Sequence, residues 1–159
     1  MKYWDDARYY RILKELTARI PPDEYALVMS QDRCELEPQF LGFINIYKSL
    51  SELIPQNKIV IDFGCYLAAQ SYLFAGHRQY IGVDVVKMRR FSPPNSIHYT
   101  MSIKQYIENE VPQLFSAHDP LTYCAICSYV PDFGETELVR RTFPNVFAIT
   151  PVPDFNALV

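Results

Sequence analysis

The chain of 159 residues has the length of a single domain, and its composition excludes several classes of protein. Hydrophobic residues make up 49% and charged residues 21%, a mixture typical of a folded globular protein rather than a disordered one. The formal net charge of −3 provides no global attraction for nucleic acid. The sequence contains neither a run of apolar residues long enough for a membrane helix nor a secretory signal, so we expect a cytoplasmic protein without membrane segments.

Two helices are predicted at the start of the chain. Apolar residues recur every three or four positions over residues 4–20, which is the spacing of one helical face, and Pro21-Pro22 ends the pattern. The predicted apolar face consists of Trp4, Ala7, Tyr10, Leu13, Leu16 and Ile20. A second, shorter helix is predicted over residues 23–30.

A third helix is predicted between Pro38 and Pro55, because proline is tolerated in the first turn of a helix and disfavours helix in the residue before it. Its predicted apolar face consists of Phe40, Phe43, Ile44, Tyr47, Leu50 and Ile54. We expect residues 1–56 to form a helical extension that packs on the same domain as the core, residues 57–159.

The core is organised around a predicted strand, tight turn, short helix and second strand. The β-branched run at residues 59–61 is typical of a strand buried on both faces of a parallel sheet. Gly64 follows in the turn, small and apolar residues favour a short helix over residues 67–74, and a second strand over residues 80–83 ends at Asp84. The carboxyl ends of such strands form the edge where open α/β sheets bind nucleotide-like ligands.

Two short sequences, Asp-Phe-Gly-Cys at 62–65 and Tyr-Ile-Gly-Val-Asp at 80–84, resemble the cofactor-binding half of class I S-adenosylmethionine-dependent methyltransferases. In that family an acidic residue and a glycine-rich turn close the first strand, and an acidic residue at the end of the second strand binds the ribose of the cofactor. The resemblance therefore implies that S-adenosylmethionine is the cofactor. The cofactor-binding residues that it implies are Asp62, Gly64, Cys65, Tyr66, Asp84, Val85 and Ser102.

The turn departs from the family pattern at two positions. Tyr66 and Ala68 stand where the family usually has its second and third glycines, and only glycine takes a positive φ without cost. A nicotinamide-binding domain is a weaker alternative, because its glycine fingerprint requires glycines in place of Tyr66 and Ala69.

Three further strands complete the predicted sheet. They are predicted over residues 97–100, 121–127 and 145–150. Ser102 is predicted to cap a helix that continues to Phe115, and residues 135–141 form another helix. These elements predict a three-layer Rossmann-like α/β domain with about five parallel strands in the order 3-2-1-4-5 and helices on both faces.

The loop after the fourth strand lies opposite the glycine turn, where the methyltransferase family places catalytic or substrate-orienting groups. Ser128, Tyr129 and Asp132 are therefore the candidates for catalysis. Cys124 and Cys127 lie three residues apart in the predicted strand and point to opposite faces, so they are interpreted as core residues. We predict no metal site.

The edge of the fifth strand is expected to need cover, because an unpaired strand edge exposes backbone hydrogen-bonding groups. The Pro-rich residues 151–153, the leading helices, a second copy of the chain or another protein are the candidates to cover it.

The sequence is compatible with three functions. The first is an S-adenosylmethionine-dependent methyltransferase of unknown substrate, and the second is a non-catalytic methyltransferase-like domain that acts as a binding or regulatory subunit. A nucleic-acid-binding module is the weakest, because it depends only on Lys87, Arg89 and Arg90, which are otherwise interpreted as cations of a solvated loop.

Overall fold

The computed structural model describes residues 6–32, 34–40, 43–128 and 133–149. Its centre is a parallel sheet of five strands in the order β3-β2-β1-β4-β5. The strands are β1 (Ile59–Phe63), β2 (Gln79–Asp84), β3 (Ser96–Thr100), β4 (Tyr123–Ser128) and β5 (Val146–Ile149). The predicted three-layer Rossmann-like fold and its strand order are confirmed.

Helices surround the sheet close to the predicted positions. They are α1 (Asp6–Arg19), α2 (Pro22–Met29), α3 (Leu36–Phe40), α4 (Ile44–Leu53), α5 (Ile103–Asn109), α6 (Val111–Ala117) and α7 (Phe133–Thr142). Short 3₁₀ helices cover Ala69–Phe74 and Pro120–Thr122. None of the helices in these ranges has the length and apolar character needed to cross a membrane.

The side chains of the strands alternate between two hydrophobic clusters, one on each face of the sheet. Val60, Tyr80 and Ile126 pack with the leading helices on the first face. On the opposite face, residues of the strands pack against α5, α6 and α7. Because only a 3₁₀ helix connects β1 to β2, and no helix connects β2 to β3, the helices of the extension supply the outer layer on the first face.

The apolar face of α1 was predicted correctly at Leu16 and Ile20 but wrongly nearer the start of the helix. The buried residues are Tyr9, Ile12, Leu16 and Ile20, whereas Tyr10 is 56% exposed. Adjacent tyrosines both fit a helical period, and the structure buries Tyr9, whose hydroxyl donates to the carbonyl of Glu37 at 3.0 Å. Ala7 is exposed and Leu13 only partly buried, and Trp4 lies outside the described residues.

Three predicted helices also differ in form. The helix between Pro38 and Pro55 is divided into α3 and α4, although all six residues of its predicted apolar face are buried. The helix that follows Ser102 is divided at Glu110, because Pro112 in the first turn of α6 has no N–H to continue the hydrogen-bond ladder. The segment predicted as a helix over residues 67–74 is a 3₁₀ helix that begins at Ala69.

Two details of the prediction are confirmed. Ser102 caps α5 in a capping box, in which its Oγ accepts from the N–H of Gln105 at 3.1 Å. Cys124 and Cys127 are buried in clusters on opposite faces of the sheet. The residues proposed to cover β5, 151–153, lie outside the described part of the chain.

Candidate cofactor site

The turn after β1 has a left-handed backbone at three alternate residues. The φ angles are 83° at Gly64, 51° at Tyr66 and 60° at Ala68. A left-handed conformation costs a residue with a Cβ roughly 1–2 kcal/mol. The turn thus has the conformation of a glycine-rich turn at the two positions where the sequence lacks glycine.

This backbone strain can be measured at Ala68. Ala68 and Ala69 are both fully buried, but only Ala68 has a positive φ. Both Ala→Gly substitutions remove one buried methyl group, so the difference between them isolates the backbone contribution. We expect Ala68→Gly to leave the protein about 1–2 kcal/mol more stable than Ala69→Gly in equilibrium denaturation. Equal effects of the two substitutions would contradict a strained turn.

Asp84 joins the end of β2 to this turn. Its Oδ2 accepts from the N–H of Tyr66 at 2.9 Å, and its Oδ1 accepts from the N–H of Val86 at 2.9 Å. The side chain is partly exposed, and the neighbouring Val85 is 65% exposed. Since a carboxylate offers about four acceptor positions, it retains capacity for hydroxyl groups of a ligand.

Asp62 lies at the centre of a fully buried polar cluster, on the face of the sheet that the leading helices cover. Its Oδ2 accepts from the hydroxyl of Tyr80 at 2.5 Å and from Nε2 of Gln70 at 2.9 Å. The hydroxyls of Tyr47 and Ser128 lie 3.2 Å and 3.5 Å from its Oδ1, within reach of a donated hydrogen bond. The carboxylate is therefore enclosed by four polar side chains, which come from α4, the 3₁₀ helix, β2 and β4.

Burial controls the protonation of this cluster. It raises the pKa of Asp62 to about 6, against the lowering effect of its hydrogen bonds. Burial, followed by the nearby charge of Asp62, also raises the pKa of Tyr47 and Tyr80 well above the ordinary value, so both phenols stay protonated and act as donors. A carboxyl whose pKa is shifted towards neutrality is typical of a functional site, although buried networks also produce such shifts.

Ser128 belongs to the buried cluster. It accepts a hydrogen bond from the hydroxyl of Tyr47, and its Oγ lies 3.3 Å from the carbonyl oxygen of Gly64. The side chain is only 3% exposed, so its hydroxyl connects β4 to the turn. The other two catalytic candidates, Tyr129 and Asp132, lie outside the described residues.

Cys65 and His98 pack against Gly82 on the same face of the sheet. Burial raises the pKa of the Cys65 thiol. Burial and the charge of Arg90 lower the pKa of His98 to about 4, so the ring is neutral. Its Nε2 donates to the carbonyl of Phe91 at 2.9 Å, and its buried Nδ1 has no hydrogen-bond partner in the described part of the chain.

The structure brings most of the predicted cofactor residues to the carboxyl edge of β1 and β2. Ser102 also lies at this edge, because the N–H of Met101 donates to the carbonyl of Asp84 at 3.0 Å. The polar roles of Tyr47, Gln70 and Tyr80 were not predicted from the sequence. Tyr47 appeared only as one residue of an apolar helical face, and a hydroxyl on such a face was the one available signal.

Fold and site together define a three-layer α/β domain with a polar site at the carboxyl edge of a parallel sheet. The chain matches no protein-family model, no curated protein and no solved structure. Among the residues whose structure is described, no group of three or more His, Cys, Asp or Glu side chains is arranged to hold a metal ion.

Proposed function

We propose that this chain is a methyltransferase-like domain that binds S-adenosylmethionine at the carboxyl edge of β1 and β2. The observation that carries the proposal is the left-handed backbone at Tyr66 and Ala68. Strained backbone is typical of ligand sites, and here it reproduces a glycine-type turn beside a partly exposed carboxylate, Asp84. Without a ligand to bind, residues with less strain would suit both positions.

Each proposed contact has a distinct role. Asp84 holds the ribose hydroxyls, Gly64, Cys65 and Tyr66 present their backbone to the ligand, and Val85 packs against its apolar part. Asp62 supports the turn from below, because its carboxylate is fully buried and enclosed by polar side chains of the protein. When bound, S-adenosylmethionine supplies an electrophilic methyl group, and the methyl acceptor is not identified by these residues.

Calorimetric titration with S-adenosylmethionine and its demethylated product tests the proposal. We expect micromolar binding by the wild type and a loss of roughly tenfold or more in Asp84→Asn, because a hydrogen bond to a charged group contributes about 1.5–3 kcal/mol. Asp119→Asn is the matched control, since Asp119 caps the 3₁₀ helix Pro120–Thr122, outside the proposed site. It should bind like the wild type.

Two outcomes of this titration would contradict the proposal. If the folded wild type binds neither ligand up to millimolar concentration, the cofactor proposal fails. Binding that Asp84→Asn retains in full would place the ligand elsewhere on the protein.

A second candidate function is a non-catalytic binding or regulatory subunit. The observation that favours it is the mutual satisfaction of the polar groups at this edge. Asp62 is enclosed by four polar side chains, and both oxygens of Asp84 accept from backbone N–H groups. A domain that has lost cofactor binding would keep such an edge, because the edge is stable without a ligand. The same titration distinguishes the two candidate functions.

The proposal extends to compartment and partners. All four cysteines are free thiols, which supports a reducing compartment such as the cytoplasm. We also propose that a second copy or a partner protein covers β5, because a sheet edge left open favours pairing with another chain. Sedimentation velocity of the purified protein tests the first of these partners.

A further inference from the structure

The three cationic side chains after β2 differ in their exposure to solvent. Lys87 and Arg89 are exposed, as in a solvated loop, whereas Arg90 is only 8% exposed. Arginine is rarely buried to this degree unless its donors are satisfied. The position of Arg90 therefore requires an explanation that its neighbours do not.

The guanidinium of Arg90 donates to groups from three separate segments at the carboxyl edge. Nε donates to the carbonyl of Tyr66 at 3.1 Å, in the turn after β1. Nη2 donates to the carbonyls of Val86 at 2.6 Å and Asp84 at 3.4 Å, after and at the end of β2. Nη1 donates to Oγ1 of Thr100 at 3.1 Å, at the end of β3.

The backbone on either side of Arg90 is fixed, which aims the side chain inward. The side-chain amide of Gln31, just after α2, accepts from the N–H of Arg89 at 2.7 Å and donates to its carbonyl at 2.8 Å. The N–H of Phe91 donates to the carbonyl of Leu67 at 2.9 Å, and the Phe91 ring is fully buried. The loop is thus held between α2 and the turn.

We propose that Arg90 is a positioning residue that holds the left-handed turn at Tyr66 in a fixed position beside Asp84. A single rigid guanidinium joins the carbonyl of Tyr66 to those of Asp84 and Val86, while the carboxylate of Asp84 accepts from the N–H groups of Tyr66 and Val86. Arg90 and Asp84 therefore hold the same two residues from their carbonyl and amide sides. Lysine cannot replace this arrangement, because its donors radiate from one atom.

The inference rests on the proposed function only for its effect on ligand binding, so the primary test needs no ligand. In Arg90→Lys, amide hydrogen exchange at Tyr66 and Val86 should become about tenfold faster or more, because several hydrogen bonds that hold their segments are lost. Exchange of the central sheet amides of β1 and β4 should accelerate only as far as the measured fall in the free energy of unfolding requires, and a larger acceleration at Tyr66 and Val86 distinguishes local positioning from a general loss of stability.

Two further variants complete the test. Arg89→Lys is the matched control and should leave exchange at both amides unchanged, since its side chain is exposed. If Arg90→Lys does not fold, Thr100→Val removes a single acceptor of Arg90 and should accelerate exchange at Tyr66 by about threefold. Unchanged exchange at Tyr66 and Val86 in folded Arg90→Lys, or in Thr100→Val where that variant is the test, overturns the inference.

Ligand binding provides the second readout. If the wild type binds S-adenosylmethionine, Arg90→Lys should weaken that binding about tenfold or more, while Arg89→Lys retains it. If the wild type binds no cofactor but the exchange result holds, the proposed function fails and the positioning role of Arg90 stands.

Discussion

Gly82→Ala is expected to destabilise the protein by at least about 2 kcal/mol. A Cβ at this position would lie 2.4 Å from Nδ1 of His98 and 2.9 Å from Sγ of Cys65. Neither neighbour can withdraw freely, because the His98 ring is bonded to the carbonyl of Phe91 and Cys65 is buried in the strained turn. Equilibrium denaturation of the variant measures the loss.

Gly76→Ala is the matched control for this substitution. The nearest atom to a Cβ at Gly76 is Nε2 of Gln56 at 3.1 Å, at the end of a flexible side chain. We therefore expect a change within about 0.5 kcal/mol. In a His98→Ala background, Gly82→Ala should cost at least about 1 kcal/mol less than in the wild type. An equal cost in the two backgrounds would contradict the steric explanation.

The same contact explains why a glycine stands in the middle of β2. In the sheet register Gly82 lies between Asp62 of β1 and His98 of β3. The space left by its missing side chain admits the ring of His98 and the side chain of Cys65, which belongs to the turn. Gly82 thus shapes the floor of the candidate cofactor site without offering any group to a ligand.

The parallel sheet was predictable because its signals are local. Buried parallel strands are short apolar runs, and the runs at 59–61 and 80–83 identify β1 and β2 without knowledge of their partners. The strand order then follows from the general topology of such folds. Local chemistry also predicted the cap at Ser102, since capping depends on residues only three positions apart.

The polar network was not predictable, because its members are distant in sequence. Tyr47 and Ser128 both contact Asp62, yet 81 positions separate them. The inward position of Arg90 has the same origin, since its acceptors belong to segments that only the folded sheet brings together. A sequence pattern identifies such residues as apolar or charged, but it contains no information about which partners the fold supplies.

Asp62→Asn is expected to make the protein more stable than the wild type at pH 8 and to lose this advantage at pH 4. The pKa of Asp62 is about 6 in the folded protein, and its ordinary value is 3.8. Between these two values the native state keeps a proton that the unfolded state has released. The free energy of unfolding of the wild type therefore falls as the pH rises through this window.

The expected size follows from the shift in pKa, which corresponds to about 3 kcal/mol. Asparagine cannot ionise, so the variant does not lose this contribution. Its Oδ1 can accept from Tyr80 and Gln70, and its amide can donate to the hydroxyl of Tyr47 or Ser128, as the protonated acid would. The stability of the variant relative to the wild type should thus change by about 3 kcal/mol between pH 4 and pH 8.

Denaturation at a series of pH values measures this change, and Tyr80→Phe is the control. That variant keeps the carboxyl group but loses a hydrogen bond that lowers the pKa of Asp62, so its stability should continue to fall to a higher pH than in the wild type. Parallel pH profiles for Asp62→Asn and the wild type would show that the carboxyl group does not titrate in this window.

The result also bears on why a buried carboxylate occupies the end of β1. At neutral pH the ionised Asp62 lowers stability, and a residue that lowers stability is commonly retained because function requires it. If Asp62→Asn is more stable at pH 8 but binds S-adenosylmethionine more weakly, the negative charge below the turn contributes to binding. If stability rises and binding is unchanged, Asp62 organises the turn through its hydrogen bonds alone, and its charge has no part in the proposed function.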